Sequence, residues 1–179
     1  MNSLLRSIST ALVASGITLV AFISSASAEL ITSRGFNVSL NTNRFFPLIN
    51  GDPKMSTYIT NPDDGDQQFG FIGGYYNGWV IKHRVTGKCL NGYNKYEGAP
   101  INVSPCNFGH LDQAWHALDK GKGYMILRLS STNLCVTVDS PIGNGSNVVL
   151  RNCNYYSANG TQDWRRDAGH AFTALVRRD

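Results

Sequence analysis

Residues 78–115 of this 179-residue chain read GWVIKHRVTGKCLNGYNKYEGAPINVSPCNFGHLDQAW. The segment passes through Cys89, returns to a second cysteine at Cys106, and ends on the tripeptide Gln113-Ala114-Trp115. Between these landmarks, runs rich in β-branched and aromatic residues, such as residues 79–83, alternate with turn residues. The segment therefore predicts a unit of short strands with its cysteines and its tryptophan at fixed places.

Residues 123–164 repeat this order of landmarks with only small changes in spacing. The matching features are Gly78-Trp79 with Gly123-Tyr124, Cys89 with Cys135, Cys106-Asn107 with Cys153-Asn154, and Gln113-Ala114-Trp115 with Gln162-Asp163-Trp164. Because self-similarity at a fixed period is the signature of a repeat architecture, the two segments predict equivalent structural units.

A further unit, without cysteines, precedes the other two. Numbered in chain order, it is the first unit, and the two described above are the second and the third. Gln67-Gln68-Phe69 occupies its Gln-x-Trp position, and Thr60-Asn61 stands before it as Cys106-Asn107 stands before Gln113. Two residues compete for the slot of the first cysteine in this unit. Ser39 begins a Ser-Leu-Asn that echoes Cys-Leu-Asn, whereas equal spacing from Thr60 favours Asn43.

Three units of roughly 47 residues, each with about four short strands, fit a closed threefold barrel with a cap better than a solenoid or a propeller. No segment after residue 28 sustains helical periodicity for three turns. The sequence therefore predicts an all-β protein, a single β-trefoil. In it we expect each Gln-x-Trp tryptophan to be a core residue with a hydrogen-bonded N–H, and each glutamine to tie turns together, in preference to direct ligand contact.

The four cysteines are even in number, and the symmetry of the repeat selects Cys89–Cys106 and Cys135–Cys153 from the three possible pairings. Each bridge should stabilise the fold by about 3 kcal/mol. A zinc site that uses His110 and His116 is the alternative, but no C-x-x-C accompanies these histidines. Disulfides are therefore the favoured interpretation, and no metal is expected.

The first 28 residues predict a secretory signal peptide. Arg6 precedes an apolar stretch at residues 11–23, and Ala26-Ser27-Ala28 supplies a small-residue cleavage site. A membrane anchor is the alternative, but the apolar stretch is shorter than the roughly 20 residues that span a bilayer. We expect residues 29–179 to form one secreted or periplasmic domain, without a membrane span, after cleavage near Ala28.

Setting Arg6 aside lowers the formal net charge of +4 by one. Apart from Arg165-Arg166 and Arg177-Arg178, the basic residues are dispersed, so the chain shows no stripe of the kind that follows a phosphate backbone. Nucleic acid is not an expected partner.

Taken together, the cysteine-bounded loops that end in Gln-x-Trp resemble the ricin B-type lectin family. More narrowly, Gly78-Trp79-Val80-Ile81 running into Thr86-Gly87-Lys88-Cys89-Leu90 resembles the cell-binding A and C subunits of bacterial cytolethal distending toxins, although the lipoprotein cysteine of many such subunits is missing. The resemblance implies cell-surface glycans or glycoproteins as partners, and companion toxin subunits as further ones.

The family's sugar site implies three slots in each unit: an acidic residue two after the first cysteine, an aromatic two before the second, and Asn before the Gln of Gln-x-Trp. The second unit holds Asn91, Ser104 and Asp112 in these slots, and the third holds Thr137, Arg151 and Thr161. The first unit offers Tyr58 and Asp66, with Asn41 if Ser39 marks the first slot. The candidate carbohydrate-binding residues are Asn41, Tyr58, Asp66, Gln67, Asn91, Asp112 and Gln113.

The first unit is the best candidate pocket because it alone combines an aromatic face with a carboxylate. The competing interpretation makes Tyr58 an ordinary half-buried strand residue and Asp66 part of a turn over residues 62–66. Other aromatic residues fall in predicted loops and could form a contact patch. They are Phe45, Phe46, Tyr75, Tyr76, Tyr93, Tyr96, Phe108, Tyr155 and Tyr156.

An enzyme is the main competing class of protein. The sequence shows no nucleophile beside a base, no carboxylate pair in a motif and no phosphate loop. Asp63, Asp64 and Asp66 could form a calcium or catalytic cluster, but a solvated turn is the favoured interpretation. We therefore expect a binding protein without a cofactor: a lectin or, alternatively, a trefoil that binds a partner protein.

Overall fold

The computed structural model describes residues 28–44, 48–74, 76–156 and 159–167. The predicted signal peptide up to residue 27 lies outside these residues. The strands, numbered in chain order, are β1 (Leu30–Ser33), β2 (Val38–Thr42), β3 (Leu48–Ile49), β4 (Asp52–Pro53), β5 (Met55–Ile59), β6 (Phe69–Gly73), β7 (Trp79–His83), β8 (Cys89–Asn91), β9 (Asn102–Ser104), β10 (Trp115–Gly121), β11 (Tyr124–Leu129), β12 (Leu134–Val138), β13 (Val148–Asn152) and β14 (Trp164–Asp167). Short 3-10 turns cover Gly65–Gln67 and Leu111–Gln113.

Six of these strands close into a barrel. β6 pairs with β7, β10 with β11, and β14 with β1, all antiparallel. Three narrower contacts join these hairpins: Trp79 opposite Trp115, Met125 opposite Trp164, and Glu29 opposite Phe69. Because β1 and β14 come from opposite ends of the described chain, their pairing completes the barrel.

Three further hairpins, β2–β5, β8–β9 and β12–β13, form a cap. Main-chain hydrogen bonds join them at equivalent positions: Met55 N–H donates to the Ile101 carbonyl at 2.8 Å, and Ile101 N–H donates to that of Val148 at 3.2 Å. A six-stranded barrel with a threefold cap is a β-trefoil, so the predicted fold class is confirmed. We refer to the units that end at Phe69, Trp115 and Trp164 as the first, second and third units.

The same core slot is filled once in each unit. Phe69, Trp115 and Trp164 are fully buried. The indole N–H of Trp115 donates to the Leu90 carbonyl at 3.0 Å, and that of Trp164 donates to the Val136 carbonyl at 2.9 Å. The prediction that the Gln-x-Trp tryptophans are hydrogen-bonded core residues is confirmed.

Both predicted disulfides are formed, Cys89–Cys106 and Cys135–Cys153, each with Cα atoms 5.0 Å apart. In the first unit the corresponding side chains are Ser39 and Thr60, whose hydroxyl oxygens lie 2.9 Å apart. Ser39 is therefore the equivalent of the first cysteine. Spacing pointed to Asn43 only because the first unit contains an additional hairpin, β3–β4.

One sequence alignment is wrong by a residue. Trp79 pairs with Trp115 and Met125 pairs with Trp164, so Trp79 corresponds to Met125, and Gly78 corresponds to Tyr124 instead of Gly123. Strand burial supports this register, because Val80-Ile81 and Ile126-Leu127 are then the matching core residues. The sequence match of Gly78 with Gly123 is therefore wrong, because the two glycines occupy different positions relative to the barrel strands.

Neither helical turn among the described residues has the length or the apolar character needed to cross a bilayer.

Candidate functional site

The cap hairpin of the first unit places two candidate residues on one face. Tyr58 on β5 lies opposite Ser39 on β2, and Asn41 lies opposite Ser56. Because side chains alternate across a strand, Asn41, Ser56 and Tyr58 share the face away from buried Leu40. Tyr58 is 38% exposed, so an accessible aromatic face lies beside the polar residues.

Asp66 lies in the turn Gly65–Gln67, where Asp64 accepts a hydrogen bond from the Asp66 N–H at 2.9 Å. Its carboxylate forms an ion pair with Arg44, a residue that sequence reasoning missed. Burial raises the pKa of the Asp66 carboxyl, while Arg44 acts in the opposite direction. The carboxylate is thus a partly desolvated acceptor that is held in place on one side by a guanidinium.

The glutamines of the three units have a structural role. Gln67 accepts from Asn61 N–H at 2.9 Å and donates to the Ile59 carbonyl at 2.9 Å. Gln113 makes the corresponding bonds to Asn107 N–H at 2.7 Å and to the Pro105 carbonyl at 3.0 Å. Since both ends of each buried amide are occupied, Gln67 and Gln113 hold the loop that carries the preceding aspartate and do not present their amides to a ligand.

In the second unit the polar candidates are occupied by neighbouring side chains. Asn91 donates to the Asn102 side chain at 3.0 Å. Asp112 pairs with Lys95 at 2.6 Å and lies 3.2 Å from the His110 ring nitrogen. With Ser104 in the aromatic slot, this unit has neither a stacking surface nor an uncommitted carboxylate.

In the third unit the slots are still less suited to a sugar. The Thr137 hydroxyl accepts from Gln162 at 2.9 Å and donates to the Cys135 carbonyl at 2.9 Å. Arg151 forms two hydrogen bonds to Asp139, which raise the pKa of its guanidinium. Arg151, paired with Asp139, therefore occupies the position that Tyr58 occupies in the first unit.

The first unit differs from the second at one further position. Ser56 replaces Asn102 opposite the asparagine of the cap hairpin, and among the described residues its buried hydroxyl has no hydrogen-bond partner. Asn41 is therefore not tied down as Asn91 is. The structure brings Asn41, Tyr58 and Asp66 into one unit, in which Asn41 is less committed than Asn91, while Asp66 is paired with Arg44 as Asp112 is with Lys95.

Several predicted loop aromatics are exposed: Tyr76, Tyr93, Tyr96, Phe108, Tyr155 and Tyr156. Phe108 follows Cys106-Asn107 as Tyr155 follows Cys153-Asn154, so these two occupy equivalent loops. Phe45, Phe46 and Tyr75 lie outside the described residues. The exposed rings supply amphipathic surface of the kind that binding proteins use.

Comparison with known proteins agrees with this architecture. The model of the ricin-type β-trefoil lectin domain family matches residues 74–176. No curated protein sequence matches the chain.

Three solved structures illustrate the similarity of fold. A designed threefold-symmetric protein, ThreeFoil, has a TM-score of 0.67 at 20% identity, covering 78% of this chain and 96% of its own. The Macrolepiota procera ricin B-like lectin, solved in complex with lactose, has a TM-score of 0.63 at 15% identity, covering 81% and 97%. A chain of the cytolethal distending toxin from Actinobacillus actinomycetemcomitans has a TM-score of 0.61 at 17% identity, covering 78% and 89%.

Proposed function

This chain belongs to the ricin-type β-trefoil lectin family, and on that basis we propose that it is an exported, non-enzymatic protein that binds carbohydrate through its first unit. The supporting observation is the contrast between units. Tyr58 is exposed on the strand face that also carries Asn41, in the unit that holds Asp66, whereas the second unit has Ser104 and the third has an ion-paired Arg151 in place of this tyrosine.

The chemistry of these groups suits a sugar ring. An exposed tyrosine face covers the apolar C–H side of a pyranose, and carboxylate and amide oxygens accept hydrogen bonds from adjacent hydroxyls. Asp66 is oriented by the turn over Gly65–Gln67 and by Arg44, so it is preorganised for an incoming hydroxyl.

A glycan array with the refolded mature chain tests this proposal. We expect specific binding to a set of glycans, and we expect Tyr58→Ala and Asp66→Asn each to weaken it about tenfold or more, because each removes one half of the site. Arg151→Ala is the matched control, since it changes the position equivalent to Tyr58 in the third unit.

Thermal unfolding of each variant shows whether a loss of binding reflects the site or a loss of the fold. Glycan binding that survives both first-unit substitutions, or equal loss in Arg151→Ala, would contradict the assignment of the site. Binding to no glycan at all would contradict the lectin function itself.

We propose export through a signal peptide cleaved near Ala28. The two disulfides are consistent with an extracellular or periplasmic protein. Glu29 is part of the barrel, since it exchanges main-chain hydrogen bonds with Phe69 and forms an ion pair with Arg166. The mass of the exported product should correspond to a chain that begins at Glu29, and a retained leader would contradict this.

A second candidate function is host-cell binding as the delivery subunit of a cytolethal distending-type toxin, or more generally binding to a partner protein. The exposed loop aromatics, with Tyr156 98% exposed, support this candidate, as does the shared fold with a toxin chain. Glycosidase treatment of cultured cells separates the two functions. Loss of cell binding supports the lectin, and unchanged binding together with stable co-purification of a companion protein supports the subunit.

A further inference from the structure

A cleft of about 490 Å³ lies between the turn that joins β6 to β7 and the strand pair β10–β11. Tyr76 and Trp79 form one wall, and His116, Leu118 and Arg128 lie on the other strands that line it. None of these residues belongs to the three sugar slots of any unit. The cleft is therefore separate in sequence and in fold position from the first-unit site.

Arg128 is the permanent charge of this cleft. It lies on β11 directly opposite His116 on β10, and its Nε atom is buried without an acceptor among the described residues. An unpaired buried donor of a guanidinium costs more than an ordinary hydrogen bond contributes. No acidic side chain is among the described residues that line the cleft.

The equivalent hairpin, β14–β1, shows what is missing. There Arg165 takes the position of His116, and Thr32, which lies opposite it, takes the position of Arg128. Asp167 satisfies both: it lies 2.7 Å from Arg165 Nε and accepts from the Thr32 hydroxyl at 3.0 Å. Asp167 is three residues after Trp164, and the residue three after Trp115 is Leu118. The carboxylate that serves the cross-strand pair in β14–β1 is thus replaced by the apolar Leu118 in the hairpin that carries His116 and Arg128.

The two rings of the aromatic wall differ in how firmly they are packed. Trp79 packs edge-on against Phe71 with ring centroids 6.1 Å apart, whereas Tyr76 is 56% exposed. The residue before Trp79 is Gly78, whose equivalent in the third unit is Tyr124. A Cβ at Gly78 would lie 3.2–3.3 Å from atoms of Ala114 and Trp115, so glycine lets this turn approach the start of β10 closely beside the aromatic wall.

We propose that this cleft binds a sugar residue that carries a carboxylate, with the acid group on Arg128 and the ring against Trp79 and Tyr76. A planar carboxylate matches the fork of a guanidinium, and an aromatic wall selects a ring over a simple anion. The inference rests on the proposed function only in taking the ligand to be a glycan.

Calorimetric titration of the refolded mature chain tests the cleft, with glucuronic acid and N-acetylneuraminic acid as the acidic probes and glucose as the neutral one. We expect at least one acidic sugar to bind and glucose to bind at least tenfold more weakly. Arg128→Gln should weaken acidic-sugar binding about tenfold or more, since it removes a charge-assisted pair. Lys82→Gln, at the equivalent position on β7, should leave it unchanged.

A second variant tests the internal comparison. Leu118→Asp supplies the carboxylate that Asp167 provides in the third hairpin, so it should occupy Arg128 and reduce acidic-sugar binding by at least as much as Arg128→Gln. Thermal unfolding of both variants shows whether they are folded. Leu118→Asn is the uncharged control of the same size, and binding that is retained in Leu118→Asn but lost in Leu118→Asp attributes the loss to charge.

Several results would overturn the proposal: no binding of either acidic sugar, equal binding of glucose, or full binding by Arg128→Gln. Displacement of the acidic sugar by an equal concentration of sulfate would also overturn it, because it would reveal a general anion site. The two sites fail independently. Loss of array binding in Tyr58→Ala with no effect of Arg128→Gln supports the first-unit site alone, and the reverse result supports the cleft alone.

Discussion

The first unit and the two disulfide-bonded units fold alike but are stabilised differently. The second and third units hold their cap hairpins with Cys89–Cys106 and Cys135–Cys153, while the first unit uses the hydroxyl pair of Ser39 and Thr60. The two bridged units also fill their ligand slots with internal contacts. The unit without a bridge is therefore the one that carries the exposed Tyr58 and the less committed Asn41 of the proposed site.

The largest expected effect comes from converting a bridged unit into the unbridged type. Replacing Cys135 with Ser and Cys153 with Thr copies the Ser39–Thr60 pair and should lower the free energy of unfolding by about 3 kcal/mol, since the denatured chain regains the entropy of an open loop. Chemical denaturation measures this difference.

The reverse change, Ser39→Cys with Thr60→Cys, serves as the control and should raise stability in the oxidised protein by about 1–3 kcal/mol. A stability that stays the same when the Cys135–Cys153 bridge is removed would show that the hydroxyl pair is a full substitute for it.

A smaller effect is expected at the shared core slot. Trp115→Phe makes the second unit resemble the first, which has Phe69, and should cost about 2 kcal/mol. The change removes buried apolar volume and leaves the Leu90 carbonyl without its indole donor. Urea unfolding gives the cost, and Trp164→Phe should give a similar one because its indole N–H bonds the Val136 carbonyl in the same way. A change below about 0.5 kcal/mol in both variants would contradict the assigned role.

The third expected effect is confined to mildly acidic solution. His83 lies under the first-unit turn, with its ring nitrogens 2.9 Å from the Thr86 hydroxyl and 3.0 Å from the Gly65 carbonyl. Burial lowers the pKa of His83 below its ordinary 6.5. The unfolded chain therefore takes up this proton more readily, so stability is complete above pH 6.5 and declines as the pH falls below it.

Melting temperatures between pH 7.5 and 5.5 measure this decline. His83→Gln should reduce the dependence on pH. An unchanged profile in His83→Gln would show that another group is responsible.

Much of the fold could be predicted because the repeat carries distinctive residues. Cysteines and tryptophans recur in the second and third units in positions whose bonding is alike, so their spacing predicted the barrel, the cap and the disulfide pairing. Alignment failed where the matched residues were glycines in turns. Glycine tolerates many backbone conformations, so a shared glycine does not fix strand register, and only the pairing of Trp79 with Trp115 did so.

The candidate site divides in the same way. The sequence named Asn41, Tyr58 and Asp66 because slots relative to the repeat landmarks can be counted along the chain. It did not reveal the ion pairs of Arg44 with Asp66 and of Lys95 with Asp112. Nor did it show that Asn41, opposite Ser56, lacks the side-chain hydrogen bond that Asn91 makes. These contacts depend on where long or neighbouring side chains come to rest in the folded protein.

By itself, then, the sequence determined the number of units, the core tryptophans, the bridges and the positions of the proposed sugar slots, because each follows from residue type at a regular spacing. The tertiary structure alone decided which slots remain available and placed Arg128 beside an aromatic wall from another hairpin. The physical reason is that a side chain's availability depends on its partners in space, and the partners of Asp66 and Arg128 lie on segments that come together only when the barrel closes.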